Sequence, residues 1–234
     1  MAIFQITEGA PGQGKSLYTA SVVEELCYRN KKWHEKGYPI RKIVSNIKFS
    51  ESFESEWKDY ILYWTDTAEI VKMRDCDIIW DEIATELDAR NFANLSVELK
   101  RFLSQYRKRG IDIYANTQDF SMIDARARLM INSVRTLTKI CGSRDISATK
   151  PPPKHIWGVV IIRDVLNYRE INPEKKEYDP FFSWLIISRS LVDIYDTTQD
   201  IALGDPPPLH HEVRYCNHVH KDGEACGFKK IIHS

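Results

Sequence analysis

The sequence predicts an α/β fold in which helices flank a mainly parallel central sheet, followed by a β-rich C-terminal extension. Short apolar strands alternate with helical segments over roughly the first 140 residues, an order that calls for a parallel sheet. The first of these strands runs directly into a glycine-rich turn. After Pro151–Pro153 the pattern changes to apolar runs separated by turn residues, which indicates strands without intervening helices.

The first predicted strand is the apolar, β-branched run Ile3–Ile6, and the segment Ser16–Tyr28 after the glycine-rich turn has helical spacing. Arg41–Ile47 predicts a second strand. Asp77–Asp81 predicts a third, with too few polar positions for a sheet that faces water on one side. A strand that is buried on both faces has this composition.

The polar stretch Lys48–Arg74 contains scattered aromatic residues and predicts a helix or loop excursion between the second and third strands. Ser96–Arg109 repeats apolar residues at helical offsets, with basic residues at other positions, and predicts an amphipathic basic helix. Gly110 ends that helix, and Ile111–Ala115 begins a fourth strand.

The last part of the predicted core is a helix over Asp124–Ile131 and a fifth strand over Val134–Ile140, where apolar and polar residues alternate. Ile156–Ile162 and Phe181–Ile187 predict the strands of the extension. We therefore divide the chain into an α/β core that carries the glycine-rich turn (1–150), a β-rich extension of the same domain (151–205) and a proline-bounded tail (206–234). That tail is too short to bury a core of its own.

Composition excludes several classes of protein. With 234 residues, 43% of them hydrophobic and 28% charged, the chain is globular and neither disordered nor fibrous. Because 33 Lys plus Arg balance 33 Asp plus Glu, affinity for nucleic acid has to come from a local basic face. Five scattered cysteines argue against a secreted disulfide framework. No signal peptide or run of about 20 apolar residues is apparent, so we expect a soluble cytoplasmic protein.

The segment Gly9–Ser16 matches the phosphate-binding motif G-x-x-x-x-G-K-[ST] at every fixed position, between a strand and a helix. Its glycines let backbone N–H groups turn toward phosphate, Lys15 reaches the outer phosphates, and the Ser16 hydroxyl can hold Mg²⁺. The alternative is a glycine-rich turn that only makes the bend. The predicted nucleotide contacts are Gly9, Pro11, Gly12, Gln13, Gly14, Lys15, Ser16 and Leu17.

Two adjacent acids, Asp81 and Glu82, follow the third predicted strand, where P-loop enzymes place a carboxylate for the metal. We expect Asp81 to hold Mg²⁺ through water and Glu82 to activate the water that attacks the γ-phosphate. In the alternative interpretation, the pair is a helix N-cap followed by a first-turn acid. An adjacent acid pair after a P-loop favours ATP hydrolysis over a kinase or a GTPase switch.

The fourth strand ends in polar residues at the edge of the sheet where the γ-phosphate would lie. We expect Gln118, or failing that Asn116, to sense the γ-phosphate or orient water; alternatively these residues only cap the turn. An arginine donated to a neighbouring subunit's nucleotide is a further expectation. The candidates for it are Arg126 and Arg128 on the next helix and Arg101, Arg107 and Arg109 on the previous one.

Within the tail, residues 216–226 contain two cysteines and two histidines around Asp222–Gly223, a dipeptide typical of hairpin turns. Cysteine and histidine are the usual ligands of Zn²⁺, and a segment too short to form its own core can be stabilised by a bound metal. Their spacing differs from that of paired zinc knuckles, so free thiols and imidazoles are the alternative. The candidate ligands of a structural Zn²⁺ are Cys216, His218, His220 and Cys226.

Taken together, Gly9–Ser16, the acid pair Asp81–Glu82, and Tyr106–Gln118 followed by Ile123–Asp124 resemble the zonular occludens toxin (Zot) domain. This is the ATPase domain of filamentous-phage gene I assembly proteins. It belongs to the additional-strand, RecA-like P-loop ATPases that pump DNA, with the FtsK and HerA translocases and viral packaging ATPases. The resemblance covers roughly residues 1 to 200 and rests on the combined order of these segments.

The resemblance implies a hydrolase that uses ATP and Mg²⁺ to move phage DNA during virion assembly, by genome packaging or by extrusion. Lys15 and Ser16 match its Walker A pair, Asp81 and Glu82 its Walker B pair, and Gln118 the polar residue that ends the next strand. It implies a homo-oligomer, in ring form, acting in the host cytoplasm, with the virion, or at the periphery of the inner membrane beside assembly proteins.

Two points of the function stay open at the level of sequence. Phage assembly proteins of this family usually continue into a membrane-spanning helix, and this sequence has no such segment. Either the membrane part lies outside this sequence, or the protein is a soluble relative such as a packaging ATPase. The rival function is a nucleotide-switched assembly module, the cytoplasmic part of a membrane morphogenesis protein, that moves no DNA. The basic helix Lys100–Arg109 either contacts DNA phosphates along a pore or is merely solvated.

Overall fold

A computed structural model describes residues 2–88, 95–142, 158–166, 181–187, 189–194, 212–215 and 229–232. Eight strands form one sheet and two more pair in the tail. They are β1 (Phe4–Glu8), β2 (Lys42–Ser45), β3 (Ile61–Tyr63), β4 (Cys76–Trp80), β5 (Asp112–Thr117), β6 (Ser133–Gly142), β7 (Gly158–Leu166), β8 (Phe181–Ile187), β9 (Glu212–Tyr215) and β10 (Lys229–Ile232). The described helices are α1 (Lys15–Glu35), α2 (Glu51–Trp57), α3 (Thr67–Ile70), α4 (Val97–Gln105), α5 (Ala125–Arg128) and α6 (Arg189–Val192).

The large sheet changes from parallel to antiparallel across its width. Its order is β3-β2-β4-β5-β1-β6-β7-β8, and every neighbouring pair from β3 to β6 is parallel. The pairs β6–β7 and β7–β8 are antiparallel. The parallel strands begin at one edge, called the amino edge here, and end at the opposite carboxyl edge. The predicted fold class, including the β-rich extension, is confirmed.

Helices cover the two faces of the sheet with separate apolar cores. One core packs β1 and β4 against α4 through residues such as Ile6, Ile78 and Phe102. The other packs the opposite face against α1 and includes Val23 and Ile79. All five residues of β4 are buried, as its apolar composition predicts.

Several element boundaries differ from the predictions. Helix α1 continues past the predicted end at Tyr28 to Glu35, and α5 is a single turn where Asp124–Ile131 was expected. The amphipathic helix ends at Gln105 and continues as a 3₁₀ turn to Arg109. The excursion between β2 and β4 contains α2, α3 and the short strand β3. A strand of three residues is too short for its pattern of apolar and polar residues to predict it.

A buried ion cluster ties α1 to the amino edge of the sheet. The Asp77 carboxylate on β4 is fully buried and lies 2.6 Å from Arg29 Nη2 of α1 and 2.9 Å from Arg41 Nη2. Arg41 also lies 3.1 Å from Asp112 Oδ2 at the start of β5. A buried carboxylate of this kind is tolerated because each oxygen has charged partners. Within the described residues, no helix is both long and apolar enough to cross a membrane.

Candidate nucleotide-binding site at the carboxyl edge

The loop between β1 and α1 has the backbone that a phosphate-binding loop requires. Gly12 (φ 78°) and Gly14 (φ 93°) adopt left-handed conformations that favour glycine. Helix α1 begins directly afterwards at Lys15, so its first N–H groups point toward the loop. Lys15 Nζ lies in the loop and donates to the Gly9 carbonyl at 2.6 Å. The predicted strand, loop and helix are therefore in place.

Strand β6, the parallel neighbour of β1, and the turn that follows β5 support this loop. The backbone N–H of Lys139 on β6 donates to Gln13 Oε1 at 2.7 Å. Glu8, the last residue of β1, accepts hydrogen bonds from Thr136 Oγ1 at 2.7 Å and from the Phe120 N–H at 3.1 Å. Sequence reasoning missed Glu8, because its two partners, one on β6 and one in the 3₁₀ turn Phe120–Met122, are distant in sequence. These contacts hold the start of the loop against β6 and the end of β5.

Asp81 lies at the same edge, directly after β4, and is 8% exposed. Asn116 Nδ2 of β5 donates to Asp81 Oδ1 at 2.7 Å and to Thr19 Oγ1 at 2.8 Å. Burial raises the pKa of Asp81, while the hydrogen bond from Asn116 and the charge of Lys15 lower it. Thr19 was not predicted, although it lies one helical turn after Ser16. Asn116 thus connects Asp81, just after β4, with α1.

Glu82 is half-buried and has a left-handed backbone (φ 50°, ψ 46°) that is rare for a residue with a side chain. Burial and the neighbouring Asp81 raise the pKa of its carboxyl, and the charge of Lys15 and a hydrogen bond from the Gln118 side chain oppose that shift. Strained backbone of this kind is typical of functional sites. The structure therefore gives Asn116 near the end of β5 and Gln118 directly after it separate partners: Asn116 contacts Asp81, and Gln118 contacts Glu82.

The oxygen ligands at this edge fit the predicted magnesium ion. The Asp81 carboxylate and the Ser16 hydroxyl are hard oxygen donors of the kind that Mg²⁺ prefers. No group of three or more His, Cys, Asp or Glu side chains that could hold a metal occurs among the described residues. Mg²⁺ in nucleotide sites is commonly held by one or two protein oxygens, with substrate phosphates and water supplying the other ligands.

Asn46, which sequence reasoning also missed, holds the backbone of Asp81 in place. Its Oδ1 accepts from the Asp81 N–H at 2.8 Å, and its Nδ2 donates to the Asp81 carbonyl at 3.1 Å. Asn46 directly follows β2, which is the neighbour of β4 in the sheet. Both hydrogen bonds are made to the residue just before the strained backbone of Glu82, so Asn46 acts as a positioning residue for the acid pair.

Replacing Asn46 with alanine is expected to lower kcat about tenfold with little change in KM, because the acid pair loses its orientation and not its charge. The matched control is Asn132→Ala. Asn132 makes the same kind of double contact with backbone at the amino edge, at 2.7 Å with Phe4 N and 3.1 Å with Ala2 O. Steady-state kinetics together with thermal unfolding test this. Equal losses of kcat in the two variants would contradict a positioning role.

The arginine candidates differ in their surroundings. Arg109 donates to the Val71 carbonyl, and Arg107 Nε donates to Tyr106 Oη at 3.0 Å; both lie in the turn before Gly110, near the amino edge. Arg128 lies over the Phe120 ring at 5.8 Å, close to the loop that follows Gln118. Arg126 and Arg101 are exposed. The position of α5 favours Arg126 and Arg128 as donors to a neighbouring nucleotide, and these roles stay predictions.

The predicted zinc ligands Cys216, His218, His220 and Cys226 lie outside the described residues. The segments on either side of them are described: β9 and β10 pair antiparallel, with Tyr215 opposite Lys229. Zinc binding by the tail stays a prediction.

Comparisons with known proteins place the chain by its fold. The N-terminal domain of zonular occludens toxin from Neisseria meningitidis is 20% identical with a TM-score of 0.55, and the match covers 84% of this chain and 100% of that domain. The genome packaging NTPase B204 from Sulfolobus turreted icosahedral virus 2, solved with ATP-gammaS, is 13% identical with a TM-score of 0.44, over 73% of this chain and 94% of that one. No protein-family model and no curated protein matches the chain. The chain therefore has the P-loop fold of the Zot N-terminal domain, as the resemblance in its sequence implies.

Proposed function

We propose that this protein is an ATP-hydrolysing motor that moves phage or viral DNA during virion assembly. The observation that carries the hydrolytic part is the juxtaposition of Lys15, Asp81, Glu82 and Gln118 at the carboxyl edge. The DNA part is supported by the resemblance of the sequence to the Zot domain and the DNA-pumping ATPases, together with a fold that matches that resemblance. The protein would act in the host cytoplasm or beside the inner membrane.

In this proposal each residue has one task. The loop amides and the Lys15 ammonium bind the β- and γ-phosphates, and Ser16 and Asp81 hold Mg²⁺, which when bound neutralises phosphate charge. Glu82 accepts a proton from the attacking water as the new bond to the γ-phosphorus forms and the bond to the β,γ-bridging oxygen breaks, which releases ADP. The Gln118 amide orients the Glu82 carboxylate toward that water.

DNA stimulation of ATPase activity tests the motor against its rival. A motor couples turnover to phosphate contacts, so DNA should raise kcat, and the stimulation should weaken as salt increases. A nucleotide-switched assembly module would hydrolyse ATP at the same rate with and without DNA. That outcome would overturn the motor and leave the hydrolytic site intact.

Hydrolysis is expected to depend on assembly, because the charge of the γ-phosphate on the side away from Lys15 needs a further cation. An arginine from a neighbouring subunit commonly supplies it and contributes about 10³-fold or more in rate. Specific activity should therefore rise with protein concentration. Arg126→Ala or Arg128→Ala should lower hydrolysis without lowering ATP affinity, with Arg107→Ala as the control, since Arg107 bonds to Tyr106 near the amino edge.

Mixing provides the second half of this test. The arginine variant and Lys15→Ala should partly restore each other's activity, because a mixed interface can join an intact loop with an intact arginine. Concentration-independent activity from a strictly monomeric protein would overturn both the shared site and the ring.

A further inference from the structure

The end of α1 and the chain leading into β2 expose a cluster of aromatic and basic residues far from the nucleotide site. We define residues 28–42 as the α1–β2 surface. All ten residues from 31 to 40 are exposed. Three aromatic rings lie on this surface with large exposed fractions: Tyr28 at 56%, Trp33 at 40% and Tyr38 at 62%. Aromatic side chains of this size usually contribute to a core or an interface, so their exposure needs a reason.

The charge of this surface contrasts with the rest of the chain. Residues 28–42 contain six Lys or Arg and a single acid, Glu35, whereas the whole chain is balanced. Arg29 and Arg41 are paired with Asp77, but Lys31, Lys32 and Lys36 are exposed. A local excess of positive charge in a neutral protein is the electrostatic pattern of a surface that meets a polyanion.

The shape between the rings is concave. A cavity of about 660 Å³ is lined by Trp33 and Tyr38, together with Lys36, Ile40 and one carboxylate, Asp75. The Trp33 ring is held from one side by the Arg29 guanidinium, 4.6 Å from its centroid, and Arg29 is itself fixed by Asp77. A rigid, partly exposed ring beside a cavity is a suitable platform for stacking a planar group.

We propose that the α1–β2 surface binds single-stranded nucleic acid, with Trp33 and Tyr38 stacking on bases and Lys32 and Lys36 contacting phosphates. Aromatic rings interleaved with lysines are the usual means of holding a strand whose bases are unpaired, whereas a duplex hides its base faces. This proposal states where the proposed motor binds its nucleic acid and that the bound strand is single. In that respect it rests on the proposed function.

The two sites are physically separate, which makes them separable by experiment. Helix α1 has 21 residues and is about 30 Å long, with Lys15 at one end and the α1–β2 surface at the other. The basic helix α4, which the sequence suggested for this role, is less suited to it, because Arg107 and Arg109 in the turn after it bond to groups of their own chain.

The test is fluorescence anisotropy of a dye-labelled oligothymidylate of about 20 nucleotides, with the full chain and no ATP. Trp33→Ala and Tyr38→Ala should each weaken binding about tenfold, and Trp33→Phe should retain most of it. Lys32→Ala and Lys36→Ala should each reduce the slope of log K against log salt by about 0.7. Trp184→Ala is the matched control, since Trp184 is a 63% exposed tryptophan on β8.

Further measurements distinguish DNA from RNA and single strands from duplex, and they distinguish failure of this proposal from failure of the proposed function. Oligouridylate in place of oligothymidylate shows whether RNA shares the site, and a 20-base-pair duplex should bind more weakly and without dependence on Trp33. Binding of anionic phospholipid vesicles with no oligonucleotide binding would overturn the proposal in favour of a membrane surface, as would wild-type binding by both alanine variants. Lys15→Ala should retain oligonucleotide binding. If the protein hydrolyses ATP but does not bind the oligonucleotide, the proposal for the α1–β2 surface is wrong and the proposed nucleotide site is unaffected.

Discussion

Replacing Lys15 with alanine should lower kcat for ATP hydrolysis by at least about 100-fold and weaken ATP binding, while the protein stays folded. In the structure the Lys15 ammonium bonds to the carbonyls of Gly9 and Ala10 and packs in neither core. Its role is therefore to bring positive charge to the phosphates. Alanine is the best helix former, so the first residue of α1 tolerates it. Calorimetric titration with an ATP analogue and a steady-state phosphate assay measure the two effects.

The control is Lys72→Ala, which removes an exposed lysine beside the short helix α3. It should leave turnover, ATP affinity and the unfolding temperature unchanged. Wild-type hydrolysis by Lys15→Ala would remove the phosphate-binding interpretation of the loop, and a loss of folded structure would show that the loop has a structural role.

Replacing Glu82 with glutamine should keep ATP affinity and slow hydrolysis by about 10² to 10⁴-fold. The amide preserves the shape of the side chain and can still accept a hydrogen bond from Gln118, but it cannot take a proton from water. Single-turnover hydrolysis with a parallel binding measurement separates these effects. The control is Glu86→Gln. In the wild-type protein the Glu86 carboxylate accepts a hydrogen bond from Trp80 Nε1 at 3.2 Å. If Asp81→Asn spares the Mg²⁺ dependence of hydrolysis while Glu82→Gln destroys it, the two acids have the opposite roles.

The pH profile gives a second readout for Glu82. A base works only when ionised, and burial together with Asp81 raises the pKa of this carboxyl above its usual value. The rate should therefore fall with decreasing pH at a higher pH than an ordinary glutamate would give. Since the effect belongs to Glu82, the residual activity of Glu82→Gln should lack that limb of the profile.

The sequence predicted the parts of the site that have a fixed spacing along the chain. The eight-residue loop and the acid pair after an apolar strand are such local patterns, and the alternation of strands and helices placed them at one edge of the sheet. Asn46 and Glu8 were missed for a common reason. Their partners are distant in sequence, with Asn46 and Asp81 separated by 35 positions, and only the order of the strands brings them together.

The left-handed backbone of Glu82 implies a trade-off between stability and function at this position. A side-chain-bearing residue in that conformation costs about 1 to 2 kcal/mol relative to its preferred backbone, and glycine adopts the same angles without that cost. Glycine, however, has no carboxylate to direct at a bound phosphate. If the carboxylate serves the proposed reaction, the chain keeps a less stable turn after β4, because the more stable turn with glycine at position 82 would lack the catalytic base.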